Sequence, residues 1–295
     1  MKRQYPTITQ ANALFFFTAV ITFVGSIFFQ PIVGFGANLW INEFIYILLP
    51  PILIVRLSKW SEEDIFRFKK TSVRNNIISV FSGISLWFFI NYINILISSF
   101  FDKQVGTFLL DIPDMSIQQS LFYVIGTVVL APICEEILFR GFIQRAYEGR
   151  FKKYGFVITG VIFGYLHILN GISDVIPVSI LGIFLGYLVY KTDSISTSMI
   201  FHAMTNLSSV LFAGALRAKV GSSIPLWFHI LSIAGLLITL ILFKCLKAEP
   251  KSDEDTEAVV IEKRVSVAAV ILLVISAVYL TSIGLLEVLS RLDVI

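Results

Sequence analysis

Charge is scarce in this chain: Asp, Glu, Lys and Arg fill 15% of its 295 positions, against 56% apolar side chains. With a mean hydropathy of +0.84, this composition excludes an ordinary soluble domain and implies a polytopic membrane protein. Cysteine is nearly absent. Cys134 lies inside a long apolar run and Cys245 near the end of another, so neither a disulfide framework nor a thiolate zinc site is supported. The N-terminus lacks a signal-peptide cleavage pattern, since Leu14 to Phe29 leads through Pro31 and Gly34 into a second apolar run. The first span is therefore expected to be retained. No segment reads as a soluble domain, and no repeat is evident. The 27 phenylalanines suit a lipid-facing helix surface.

Nine apolar stretches approach the ~20 residues that a ~30 Å hydrocarbon core requires. They fall at 12–31, 39–57, 76–100, 118–145, 155–170, 175–190, 195–213, 226–246 and 265–289. The pair at 155–170 and 175–190 is short enough to admit a re-entrant hairpin, although two full spans are preferred. The expected fold class is all-α, a polytopic transmembrane helix bundle of about nine spans with an eight-helix core and one C-terminal helix. Residues 1–74 would hold two spans and a basic loop, 75–247 the core, 248–264 a polar linker around EPKSDEDTE, and 265–295 an additional helix standing as an appendage.

With the N-terminus on the cytoplasmic side, the inner segments hold nineteen of the 23 Lys and Arg residues; the outer segments hold only Lys103, Arg217, Lys219 and Arg291. Positive charge in short loops marks the cytoplasmic face. The expected location is thus a cell membrane, multi-pass, with the N-terminus inside and a bacterial membrane permitted. The basic stretch Arg56 to Arg74 also carries Glu62, Glu63 and Asp64. It reads as a solvated loop or surface helix meeting anionic lipid rather than a nucleic-acid site.

Against this background, Ala131 to Arg145 (APICEEILFRGFIQR) is anomalous, because it continues an apolar run yet carries Glu135, Glu136 and Arg140. A charge at the bilayer centre costs roughly 2.5 to 3.5 kcal/mol on insertion scales, which makes such a residue a functional-site candidate. Glu136 and Arg140 are four apart and form a natural ion pair whose plainest role is to hold helix geometry. Glu135 lies about 100° away round the helix and is left without a local partner. Cys134 points away again and is not expected to act as a nucleophile. Pro132 would kink this helix and free a carbonyl.

Two of the three histidines lie inside apolar stretches. His167 ends FGYLH, with Phe163 one turn earlier, and His202 opens HAMTN, with Asn206 one turn later. Measured from the expected cytoplasmic ends, Glu135, His167 and His202 sit at depths of roughly 15, 18 and 12 Å at ~1.5 Å per residue. Three helices thus present polar groups at one level. Two chemistries follow. Glu135 could be a general base for water, with His202 and Asn206 stabilising an oxyanion; or His167 and His202 could bind a divalent metal such as zinc. Gly182 and Gly186 form a small-residue face that would let their helix approach this region closely. His229 reads as a packing residue.

EEILFR, FGYLH and HAMTN resemble the EExxxR, FxxxH and HxxxN signatures of the CAAX protease and bacteriocin-processing (CPBP, or Abi) family of intramembrane proteases, in the family's order, over roughly residues 77–212. The resemblance implies an intramembrane endopeptidase with Glu135 as the catalytic glutamate, supported by Glu136 and Arg140. His167 and His202 would be catalytic or metal-contacting, and Asn206 would stabilise the transition state. It leaves open whether water is activated by glutamate alone or by a metal. Implied partners are membrane lipids and a prenylated or membrane-bound peptide or protein substrate. The alternative from another class is a non-catalytic bacteriocin-immunity or regulatory protein with a membrane-protein partner; a third is an ion-coupled transporter, for which no inverted halves are evident.

Overall fold

The computed structural model describes residues 5–101, 116–220, 224–248 and 264–291. Most of the expected linker at 248–264 lies outside the described residues, as do Lys103 and the side chains of Arg217 and Lys219. All nine apolar stretches are helical, and no strand occurs among the described residues. We number the helices α1 (Ile8–Val33), α2 (Phe35–Leu57), α3 (Glu62–Phe66), α4 (Val73–Phe101), α5 (residues 117–151), α6 (Gly155–Leu166), α7 (Val175–Thr192), α8 (Ile195–Val220), α9 (Leu226–Lys244) and α10 (Val267–Arg291). Large apolar side chains face outward, including Leu237 at 53% and Val270 at 51% exposure, as lipid rather than water requires. The protein is an integral, multi-pass membrane protein.

Seven described segments are long and apolar enough to cross a membrane, with Ile117–Leu169 counted as one. Two of the nine expected spans differ for physical reasons. The chain breaks at Lys152, where φ is 49°, and the helical run 155–169 that follows is only about 22 Å long at ~1.5 Å per residue, short of a ~30 Å core. Helix α8 is long enough but is rich in Ser, Thr, His and Asn, many of them buried in the bundle. Its polarity faces inward.

The closest helix pairing joins α6 to α7, and glycine is its cause. A Cβ placed on Gly160 would come within 2.5 Å of Ile183 N, and one on Gly182 within 2.6 Å of the Gly160 carbonyl. Gly164 is equally crowded by Ser179. Backbones that approach this closely leave their carbonyls open to partners. Gly182 O accepts from Arg140 at 3.2 Å and Gly186 O from Gln144 at 3.0 Å, both on α5. The expected small-residue contact is thus two-sided, with Gly160 meeting Gly182, Gly164 meeting Ser179 and Gly186 meeting Phe156.

Two readings of the sequence need correction. The stretch Arg56 to Arg74 is not simply a solvated loop, because Ile65, Phe66 and Arg67 are each about 1% exposed. Arg67 forms an ion pair with Glu148 of α5 and lies 3.6 Å from Asp193 after α7, which Lys69 and Arg145 also approach. Burial works against its charge, but Glu148 and then Asp193 outweigh that and hold the guanidinium above its ordinary value. Helix α10, expected as an appendage, is docked: Ala269 O accepts from Asn12 of α1 at 2.8 Å, and Thr9 and Ser266 hydroxyls meet at 2.6 Å. Polar groups that find no water in lipid find each other instead.

Gly160→Val is expected to destabilise the bundle by about 1–3 kcal/mol or more through overpacking, read as a lower midpoint in detergent thermal unfolding. Gly36→Ala, whose Cβ would meet nothing nearer than Phe122 at 3.7 Å, should leave the midpoint unchanged.

Candidate active site

The site is built on α5, whose winding changes twice around the acidic pair. Residues Gly126–Leu130 and Ile137–Ile143 are π-wound, flanking an α-helical turn Ala131–Glu136. Such π segments are uncommon and often mark functional sites. Pro132 explains part of the pattern. In the π register Ala131 N bonds Gly126 O, so the next donor should serve Thr127 O, but proline has no N–H. Asn206 of α8 supplies the missing donor, its Nδ2 bonding Thr127 O at 2.9 Å. The carbonyl that proline frees is thereby the one that fastens α8 to α5.

Glu136 and Arg140 form the buried half of the site. Glu136 Oε1 lies 3.2 Å from Arg140 Nη1, both side chains being at most 1% exposed. The guanidinium also stacks over Phe163 of α6, 4.2 Å from the ring centroid. Phe163 in turn meets the His167 ring at 4.6 Å and the His202 ring at 5.9 Å between centroids. One aromatic ring thus touches the arginine and both imidazoles.

The two histidines are oriented through their Nδ1 atoms. His167 Nδ1 is 3.0 Å from the Phe163 carbonyl, which can only accept, so Nδ1 carries the hydrogen. His202 Nδ1 donates to Glu136 Oε1 at 3.2 Å, a carboxylate oxygen already paired with Arg140. Both rings therefore turn Nε2 toward Glu135: His167 Nε2 is 4.0 Å from Oε1 and His202 Nε2 is 3.8 Å from Oε2. These separations exceed a direct hydrogen bond. Glu135 Oε2 has no protein hydrogen-bond partner, although its side chain, at 12% exposure, is the reachable one of the acidic pair.

Glu135, His167 and His202 are thus brought together, with Glu136, Arg140 and Phe163 supporting them. Asn206 stands apart. Thr127, which it contacts, precedes Glu135 by two turns, about 12 Å along the axis. Zinc held by imidazole and carboxylate needs donors about 2.0–2.2 Å from one centre. Among the described residues no three His, Cys, Asp or Glu side chains are grouped so as to hold a metal ion. Cys134 is fully buried, and His229 bonds Tyr92 Oη at 2.9 Å on the far side of α4.

Reading the sequence missed Glu43. It lies in the π-wound part of α2 (Asn42–Leu48), is 4% exposed, has an Oε2 without a protein hydrogen-bond partner, and feels the charge of Glu135. The signal was available, because an acid inside the apolar stretch 39–57 meets the same criterion that singled out Glu135.

Residues 117–208 match the family model described as Rce1-like, Type II CAAX prenyl endopeptidase Rce1-like. No curated protein and no solved structure matches the chain. The matched segment contains EEILFR, FGYLH and HAMTN, so over residues 117–208 the family model supports the resemblance carried by these three motifs.

Proposed function

We propose that the protein is an intramembrane endopeptidase that hydrolyses a peptide bond of a membrane-associated or prenylated peptide, with Glu135 as the base. The observation that carries this reading is the Glu135 carboxylate faced by two imidazole Nε2 atoms at 3.8 and 4.0 Å. With Nδ1 protonated on both rings, each neutral Nε2 is an acceptor. A water in this gap gives one hydrogen to Glu135 and the other to an imidazole, leaving its lone pair free for a carbonyl carbon.

The water oxygen bonds to the carbonyl carbon while its proton passes to Glu135. The carbonyl oxygen becomes an oxyanion, stabilised by the imidazole that does not hold the water, which has taken up a solvent proton at Nε2 and donates from it. The C–N bond then breaks as Glu135 returns its proton to the leaving amine. Glu136 acts on His202, and Arg140 fixes Glu136. Phe163 keeps the rings apart, and Asn206 contributes by holding α8 at the height of α5. Burial of the site at the junction of α5, α6 and α8 suits a substrate that arrives from lipid, and the family match over residues 117–208 supports a CAAX-type or comparable peptide. Nothing in the site requires a resident metal for these steps.

The non-catalytic alternative is not favoured, because a binding scaffold has no use for a carboxylate left without a protein partner in an apolar interior. In detergent-purified protein, Glu135→Gln should reduce cleavage of a prenylated or lipid-anchored reporter peptide by about 10³-fold or more, the scale expected when a general base is lost, with thermal stability unchanged. Full activity in that variant would sink the reading. Glu136→Ala should behave differently: an uncompensated buried Arg140 is expected to cost about 3–5 kcal/mol, so this variant loses folded protein before it loses chemistry. A strong divalent-metal chelator is expected to leave the wild-type rate within about twofold, whereas a zinc-dependent site would be silenced. The cleavage assay repeated after dialysis checks this.

A further inference from the structure

His167 does not sit within a regular helix. It is the residue on which α6 ends, the first of a 3₁₀ turn His167–Leu169, and its carbonyl accepts from Asn170 N at 2.9 Å and Gly171 N at 3.3 Å. Gly171 then takes φ 151°, a conformation reserved for glycine, to reach a second short turn, Ile172–Asp174. Helix ends fray, and this one carries a histidine of the site. Something outside α6 must hold it.

Helix α10 does so along one face. Tyr165 Oη bonds the Thr281 hydroxyl and lies 3.3 Å from Ala277 O. Gly284 admits Ile168, whose Cδ1 would lie 2.5 Å from a Cβ at that position. One turn on, Glu287 Oε2 accepts from Ile172 N at 2.8 Å, while Glu287 Oε1 is paired with Arg291 Nη2 at 2.6 Å. From the opposite side Asn94 of α4 donates to Asp174 Oδ1 at 2.6 Å. The turn after His167 is thus pinned from two helices, neither of them within the family-matched segment 117–208.

We infer that Glu287 is a positioning residue for His167: by capping Ile172 N–H from α10 it locks the 3₁₀ turn and so sets where the His167 ring stands against Glu135. This rests on the endopeptidase reading for its effect on rate, but not for its effect on the turn. The full chain, wild type, Glu287→Ala and Glu287→Gln, is compared in detergent by hydrogen–deuterium exchange of peptides covering 167–174, 8–33 and 175–192, by kcat and KM, and by thermal midpoint. Loss of one charge-assisted hydrogen bond is expected to speed exchange in 167–174 about tenfold in Glu287→Ala and to lower kcat about tenfold with KM within about twofold. Glu287→Gln keeps an acceptor for Ile172 N–H and should stay within about threefold of wild type on both. Wild-type exchange and kcat in Glu287→Ala overturn the inference. So does exchange rising equally in α1 and α7, which would make Glu287 a support of the whole bundle; if Glu287→Ala does not fold, Arg291→Ala, which leaves the carboxylate in place, must show the same local effect in weaker form or the inference fails. Absence of cleavage by wild type itself would overturn the endopeptidase reading, and the exchange data alone would then decide whether the clamp exists.

Discussion

Arg140 keeps a full charge in an interior that offers it no bulk water, so the surrounding helices are arranged to meet it. Its guanidinium touches Glu136 Oε1 and the Gly182 carbonyl, each at 3.2 Å, and lies 4.2 Å from the centre of the Phe163 ring. Those three partners come from α5, α7 and α6. The Gly182 contact exists only because α6 and α7 approach too closely for a Cβ, so the glycine face and the arginine depend on each other. Glu136, once neutralised by Arg140, can accept from His202 Nδ1 and thereby turn His202 toward Glu135. Glu135 is left free because its neighbour has taken the cation. Division of labour between adjacent carboxylates follows from one residue of helical rotation.

Much of this was legible from the chain alone. Period and spacing placed Glu136 with Arg140, set Glu135 aside, and put Phe163 beside His167, since those relations are local to one helix. Agreement in depth across three helices also anticipated the meeting of Glu135, His167 and His202. What was not legible is pairing between helices that are distant in sequence. Nothing in the pattern of the basic stretch says that Arg67 turns inward to Glu148 and Asp193 while Lys59 and Arg56 remain outside, because that depends on how α3 closes the end of the bundle. Likewise EPKSDEDTE suggested separation of α10, while docking of α10 rests on Asn12, Thr9 and Tyr165, whose partners lie 112 to 257 residues away.

Asn206 shows how one residue can satisfy a signature for a reason that signature reading does not supply. Pro132 removes a donor inside a π-wound stretch, and the resulting bare carbonyl of Thr127 would be costly in an apolar interior, on the order of 1–3 kcal/mol. The amide one turn beyond His202 repairs that defect. His202 is then held at both ends of the same turn, by Glu136 at its ring and by Asn206 through the helix.

Buried polar atoms without a protein hydrogen-bond partner occur throughout the described bundle, and three of them are carboxylate oxygens. Glu43 Oε2, Glu135 Oε2 and Glu136 Oε2 belong to two facing elements, the π-wound part of α2 and the acidic turn of α5. The Glu135 and Glu136 oxygens are acceptors, and both imidazole Nε2 atoms, with Nδ1 protonated, are acceptors too. An interior with this surplus attracts hydrogen-bond donors and repels carbonyl oxygens unless a proton is first taken up. Water, with two hydrogens, fits that surplus; a peptide carbonyl fits only after an imidazole has become protonated. Protonation of one imidazole before the oxyanion forms, with water held between Glu135 and the other, is therefore the order that suits this surplus of acceptors.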